Sequence, residues 1–150
     1  MSKKIEKTLI GTTDFIDLPQ LDLTDIACKI DTGAATSSIN CSEVRIVEKD
    51  GTEFLCLKFY APRFGIHARK EFRFKDFSQR KVRSSNGAQE IRYTIKTPVN
   101  IFNRSLSTEF TLSFRDKMKF PILLGKRFLK NKFVVDVAQK NINKNFKETI

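Results

Sequence analysis

One aspartate in the sequence lies where an acid–base group could work. Asp31 follows the largely apolar run 26–30 and opens the segment Asp31-Thr32-Gly33-Ala34. The apolar run predicts a strand at the edge of a core, which would deliver the carboxylate to the start of a rigid loop. In that loop Thr32 offers a hydroxyl that can brace a neighbouring loop, and Gly33 permits a close backbone approach. The small Ala34 leaves room above the carboxylate, so we interpret Asp31 as the candidate catalytic residue.

A second carboxylate in contact with Asp31 would make the pair a more effective acid and base than one carboxylate alone. Two carboxylates in contact cannot both ionise, so they share a proton and can activate a water molecule between them. The 150 residues contain a single Asp-Thr-Gly. The second carboxylate would therefore have to come from another copy of the chain, related by a two-fold axis. This reasoning predicts a homodimer.

A second motif follows in order further along the chain. Within residues 121–129, apolar residues lead into a glycine, a basic pair and two more apolar residues. Together with the segments 31–34 and 36–39, this motif resembles the two-part active-site signature of the retropepsin-type aspartic proteases. A lone Asp-Thr-Gly would be weak evidence, but both halves in the right order are much more specific.

The resemblance has consequences for fold and chemistry. It implies an all-β, retropepsin-like acid-protease barrel with one short C-terminal helix over residues 126–130. It implies peptide-bond hydrolysis in which two Asp31 carboxylates activate water, with Thr32 and Gly33 bracing the two loops against each other. The residues that would support each loop from behind are Leu123, Leu124 and Gly125.

The chain also resembles a bacterial and archaeal family of retropepsin-like proteins whose members are often labelled ATP-dependent zinc proteases. The matching stretches are 27–39, 81–87 with Arg92, Arg115 with Met118, 120–129, and 133–137. This resemblance makes Arg83, Ser85 and Arg92, around a predicted hairpin, candidate substrate contacts. Edge-strand charges that discourage aggregation are the alternative interpretation.

The sequence offers no recognisable zinc or nucleotide site. His67 is the only histidine, no HExxH motif occurs, and Cys28, Cys41 and Cys56 lack the spacing of zinc ligands. A glycine-rich phosphate-binding loop is also missing from the sequence. We therefore expect no metal and no cofactor.

The chain is strongly basic, with 28 Lys and Arg against 17 Asp and Glu and a formal net charge of +11. Segment 63–104 contains 11 of these basic residues and three acidic ones, a net charge of +8. Such a surface attracts acidic peptide, nucleic acid or an anionic surface, although it can also serve solubility alone. We expect a peptide or protein substrate, preferably an acidic one.

The alternative function is a non-catalytic binding module on the same fold. Basic residues interleaved with phenylalanines could follow a nucleic-acid strand by phosphate contact and stacking, or hold an acidic peptide. The phenylalanines concerned are Phe64, Phe72, Phe74 and Phe77. Nucleic acid is the less favoured partner, because the Asp31 motif would then have no purpose.

The organisation predicted is one retropepsin-like domain over residues 1–150, with a basic tail at 1–6 and a frayed polar tail at 140–150. Three features favour a soluble, cytoplasmic protein. The number of cysteines is odd, the first residues lead into no apolar signal region, and no apolar run approaches the roughly 20 residues that span a bilayer.

Two hairpins are predicted from turn signals. Asp50-Gly51 favours a hairpin over residues 42–60, and Asn86-Gly87 favours one over 81–95. Either could be the mobile flap that the resemblance implies over the substrate. The predicted contributors to the dimer interface are Ile26, Thr32 and the last strand, 133–137.

Overall fold

The computed structural model describes residues 6–83, 86–114 and 118–149, apart from the side chains of Val82 and Arg83. Ser85 therefore lies outside the described residues, and Arg83 is described by its backbone alone. The described residues form these strands and α-helices: β1 (Thr8–Ile10), β2 (Thr13–Leu18), β3 (Leu23–Ile30), β4 (Ser37–Asn40), β5 (Glu43–Lys49), β6 (Thr52–Lys58), β7 (Phe72–Phe74), β8 (Ser78–Arg83), β9 (Gln89–Ile101), β10 (Arg104–Ser113), β11 (Ile122–Leu124), α1 (Lys126–Leu129), β12 (Phe133–Val135) and α2 (Ile142–Thr149).

Six strands close into a barrel. Their order is β10-β4-β11-β3-β2-β9, and pairing of β9 with β10 completes the circle. Strand β11 runs parallel to β3 on one side and antiparallel to β4 on the other. Alternate side chains point into the barrel, so Ile16, Ile95, Val99 and Phe110 are almost fully buried. The predicted all-β acid-protease barrel and the short helix after Gly125 are confirmed.

Both predicted hairpins are present. Strands β5 and β6 pair through a turn in which Asp50 and Gly51 have φ of 53° and 77°, and β7 extends them to a separate three-stranded sheet. Strand β8 pairs with the first half of β9, outside the barrel. Gly87 in the second turn has φ of 83°, a conformation that glycine adopts without strain.

The C-terminal end is a helix, so the prediction of a frayed tail is wrong over residues 142–149. The buried Asp14 carboxylate accepts hydrogen bonds from the backbone N–H groups of Asn143 (2.8 Å) and Lys144 (3.1 Å) at the start of α2. Phe146 contacts Phe102, with 5.8 Å between ring centroids. These contacts hold the helix against the barrel.

The predicted interface residues differ in their availability. Ile26 is only 3% exposed and packs in the barrel core, so it is not free to contact a partner. Thr32 is exposed. Strand β12 pairs with β1 in a two-stranded parallel sheet, in which the opposed Leu9 and Val134 are 41% and 51% exposed. Thr32 and the last strand thus remain candidates.

All three cysteines are buried and free of disulfides. Burial raises the pKa of the Cys28 thiol, as does the nearby Asp14 charge, and burial also raises the pKa of Cys41. Both thiols therefore stay protonated and unreactive at neutral pH. Among the described residues there is no helix with the length and apolar character to cross a membrane.

Candidate active site

Strand β11 fixes the backbone at Asp31. Leu124 lies opposite Ile30 in the parallel β3–β11 pair, and its carbonyl accepts a hydrogen bond of 2.9 Å from the Asp31 N–H. Leu123 lies opposite Ser38 on the other side of β11. The strand is thus wedged between the two strands that flank the Asp31 loop, the position that the resemblance implies for these leucines.

Gly125 lies so close to the Asp31 loop that no side chain fits. A Cβ atom built on this glycine would stand 2.5 Å from the Thr36 carbonyl oxygen and 2.9 Å from that of Ala34. The Gly125 N–H donates to the buried Ser37 hydroxyl at 3.1 Å. Ser37 lies in the segment 36–39 of the signature but was not predicted to have this role; its signal in the sequence is a polar residue at a strand position whose side chain points into the core.

Helix α1 holds the far side of the loop. The backbone N–H groups of Lys126 and Arg127, which have no partner inside the helix, donate to the carbonyls of Ala34 (2.8 Å) and Ala35 (3.1 Å). The loop is therefore attached to β11, to the glycine and to α1. Because β11 and α1 hold its backbone on two sides and Gly125 packs against it, the carboxylate starts from a well-defined position.

The loop also orients the carboxylate itself. The Gly33 N–H donates to Oδ1 of Asp31 at 3.0 Å, and the Ala34 N–H donates to the Asp31 carbonyl at 3.3 Å. One carboxylate oxygen is thereby engaged by the loop. Gly33 and Thr32 are exposed at the loop tip, and Asp31 is partly exposed.

Asp31 opens into a groove of about 560 Å³. Its floor includes Ser38, Leu123 and Thr111. Ser38 on β4 lies opposite Leu123 on β11 and opposite Thr111 on β10, so the three side chains share one face of the neighbouring strands. Its other side comes from Arg80 and Lys81 on β8 and Arg92 on β9, and the remaining lining residues are Ala34, Thr36, Ser113 and Met118. Asp31 is the only carboxylate among these lining residues.

The groove brings together part of the predicted substrate contacts. Of these contacts Arg92 lines the groove, whereas the side chain of Arg83 and the whole of Ser85 lie outside the described residues; Lys81 lines it in addition. Arg80, which sequence analysis did not select, lines it as well. Of the two hairpins proposed as the flap, it is β8–β9 that borders the groove.

Each of the two groove arginines has an acidic neighbour. Arg80 forms an ion pair with Glu109 on β10. Arg92 lies 3.4 Å from Glu90, whose side chain is 54% exposed. The net charge beside Asp31 is nevertheless positive, because Lys81 adds a further cation and neither glutamate lines the groove.

The residues present do not fit the zinc ion that the family label implies. The described residues contain no group of three or more His, Cys, Asp and Glu side chains that could hold a metal ion. His67 borders a different groove, beside Asp22 and Asp25. The described residues therefore do not supply the three protein ligands that a catalytic zinc ion usually needs.

Three of the phenylalanines proposed to stack on nucleic-acid bases are occupied within the protein. Phe72, Phe74 and Phe77 are partly buried and pack against the core. The ring centroid of Phe72 is 5.8 Å from that of Phe59, and that of Phe77 is 6.0 Å from that of Tyr93. These three rings are therefore partly covered by the protein's own side chains.

Three comparisons place the chain among known proteins. It is 30% identical over 138 residues to a protein of Desulfotalea psychrophila named "Probable alpha-L-glutamate ligase", and 29% identical over 133 residues to one of the same name from Shewanella pealeana. These matches cover 92% and 89% of this chain but 30% and 29% of the relatives, so the chain spans under a third of their length.

A solved structure has the same fold. Lpg0085 of Legionella pneumophila, a protein of unknown function, superposes with a TM-score of 0.71 at 19% identity, covering 92% of this chain and 99% of that one. The family model described as "Retropepsin-like aspartic endopeptidase RimB" matches residues 9–145. The relatives are named as ligases rather than zinc proteases, and the retropepsin-like resemblance is confirmed. The chain belongs to the RimB-like family of retropepsin-like proteins.

Proposed function

We propose that this protein is an aspartic endopeptidase that works as a homodimer, with one Asp31 from each subunit. The observation that carries the proposal is the attachment of the Asp31 loop to Leu124, Gly125 and α1. A turn aspartate that serves only local structure would not need support from both a strand and a helix distant in the sequence. A single carboxylate in a rigid, partly exposed loop is suited to meeting its two-fold copy.

The reaction uses water as the nucleophile. One carboxylate of the pair is ionised and the other is protonated. The ionised carboxylate takes a proton from water as the water oxygen bonds to the peptide carbonyl carbon, and the second carboxylate gives its proton to the carbonyl oxygen. When the tetrahedral intermediate collapses, the C–N bond breaks and the amine nitrogen takes a proton from the pair, while a hydroxyl of the intermediate returns one. No covalent bond to the enzyme forms.

The substrate we propose is an acidic peptide segment. The groove beside Asp31 is lined by three cations and no other carboxylate, so it complements negative charge. The relatives that match this chain over part of their length are named as probable alpha-L-glutamate ligases, so glutamate is the substrate that their name states. A peptidase acting on glutamate-rich chains would fit that chemistry.

The test is the substitution Asp31→Asn. The amide is nearly isosteric with the acid but cannot take a proton from water, so hydrolysis of acidic peptides should fall by several orders of magnitude while the fold persists. Circular dichroism and sedimentation provide the folding and dimerisation controls. Undiminished cleavage by the Asp31→Asn protein, or loss of wild-type cleavage on chelation with recovery on adding zinc, would refute the aspartic mechanism.

A further inference from the structure

Two arginines lie opposite each other above Asp31. Arg80 on β8 and Arg92 on β9 are direct partners in the antiparallel register, so their side chains leave the hairpin on the same face. Both line the Asp31 groove. Like charges directly opposite each other destabilise a strand pair. The hairpin nevertheless places this pair beside Asp31, where two guanidinium groups offer many hydrogen-bond donors to one ligand.

The two arginines are held differently. Arg80 pairs with Glu109, which precedes the floor residue Thr111 by two positions and so shares its strand face. This contact ties Arg80 to the barrel. Arg92 is only 22% exposed, but its partner Glu90 is 54% exposed at a distance of 3.4 Å. An exposed, long contact of this kind contributes little, so an incoming carboxylate can replace it.

We propose that Arg80 and Arg92 form a carboxylate-binding pair that holds an acidic group of the substrate beside Asp31. Guanidinium groups bind carboxylates through two parallel hydrogen bonds, which fixes position as well as charge. Glu109 keeps Arg80 in place, and Arg92 exchanges Glu90 for the ligand. The hydroxyls of Ser38 and Thr111 on the floor supply further hydrogen-bond donors. The proposal rests on the proposed function for its substrate, but the binding itself needs no hydrolysis.

The ligand carboxylate has two sources, an acidic side chain or the C-terminal carboxylate of the peptide. The experiment therefore uses fluorescently labelled oligoglutamate with a free C-terminus, the same peptide with an amidated C-terminus, and oligoglutamine. Binding is measured by anisotropy to the Asp31→Asn protein, which holds the peptides uncut. Binding that survives amidation assigns the site to side chains, and binding that amidation removes assigns it to the terminus.

The variants are Arg80→Gln and Arg92→Gln in the Asp31→Asn background, with Lys49→Gln as control. Lys49 is exposed on β5 and does not line the groove, so its substitution removes the same charge elsewhere. Each arginine variant should weaken oligoglutamate binding roughly tenfold or more, and the control less than about twofold. Arg92→Lys keeps the charge but loses the two parallel hydrogen bonds of the guanidinium group, so it should bind oligoglutamate more tightly than Arg92→Gln and less tightly than the protein with Arg92. If Arg80→Gln alone leaves Glu109 unpaired and unfolds the protein, the double variant Arg80→Gln/Glu109→Gln removes both charges and serves instead.

Equal losses in the arginine variants and the control, or oligoglutamine binding as tight as oligoglutamate, would overturn the proposal. So would a failure of oligoglutamate to bind at all. These outcomes differ from failure of the peptidase: arginine-dependent binding without cleavage by the wild type would leave the carboxylate-binding pair standing and remove the proposed reaction.

Discussion

At Gly125 two backbone segments approach more closely than any side chain permits. A Cβ atom there would stand 2.5 Å from the Thr36 carbonyl oxygen, so the loop or the start of α1 would have to move. We predict that Gly125→Ala lowers the free energy of unfolding by about 1–3 kcal/mol. Since the displaced segments hold Asp31, peptidase activity should fall more than stability alone explains. Urea titration and peptide hydrolysis measure the two effects.

Gly33→Ala is the matched control for that substitution. Its Cβ would meet only Oδ1 of Asp31, at an ordinary contact distance of 3.4 Å, and its backbone is not in the left-handed region. The free energy of unfolding of the monomer should therefore change by less than about 0.5 kcal/mol. Equal destabilisation by the two alanines would contradict the steric account of Gly125.

Among the elements, α2 is held by a carboxylate from a distant strand. Asp14 is fully buried and accepts hydrogen bonds from the N–H groups of Phe15, Asn143 and Lys144. We predict that Asp14→Ala lowers the free energy of unfolding by roughly 2–4 kcal/mol, because it leaves these donors unpaired. Amide exchange at Asn143 and Lys144 should accelerate most. As a control, substitution of the exposed Glu148 on the same helix by alanine should lower the free energy of unfolding by less than about 0.5 kcal/mol. Fast exchange of both amides already in the wild type would contradict this account, because it would mean that the helix frays.

The sheet β5–β6–β7 should respond to acid through Glu71. Hydrogen bonds from Arg45 and the Cys56 thiol hold the pKa of this carboxyl near 2, below its usual value of about 4.5. Since the folded-state pKa is the lower one, its stabilising effect is present above pH 4.5 and is lost as the pH falls toward 2. We predict that Glu71→Gln flattens the pH dependence of stability in that window. Glu48→Gln, an exposed change in the same sheet, should leave the dependence unaltered, and identical curves for both variants would contradict the assignment.

The features that could be predicted are local in the sequence, and those that could not depend on partners distant in the sequence. The Asp31 loop could be predicted because a strand, a carboxylate and a glycine follow one another in the sequence, and residues 123–125 could be placed behind it because they resemble the second half of the retropepsin signature. Arg80 could not be selected, since its place opposite Arg92 depends on hairpin register and its partner lies 29 residues away. The end of the chain was predicted to be a polar tail because the residue that holds its helix, Asp14, is 129 residues away from Asn143 in the sequence.

At the scale of the whole molecule, the proposed shared site makes each chain half of the enzyme. Each chain brings one carboxylate in a firmly held loop, and Thr32 and Gly33 stand exposed at its tip. Activity should therefore depend on the dimer and fall on dilution more steeply than in proportion to protein concentration. Sedimentation and hydrolysis rates over the same concentration range should show the two transitions together. A monomer with constant specific activity would contradict the shared site.

The most direct measurement of the shared site is subunit mixing. Wild-type protein at fixed concentration is equilibrated with increasing amounts of Asp31→Asn protein, and hydrolysis of an acidic peptide is followed. If the two carboxylates come from two subunits, mixed dimers carry one carboxylate each, and wild-type activity should fall toward zero as the variant comes into excess. If each chain works alone, the added variant should leave the activity unchanged, and the account of a shared Asp31 pair would be wrong.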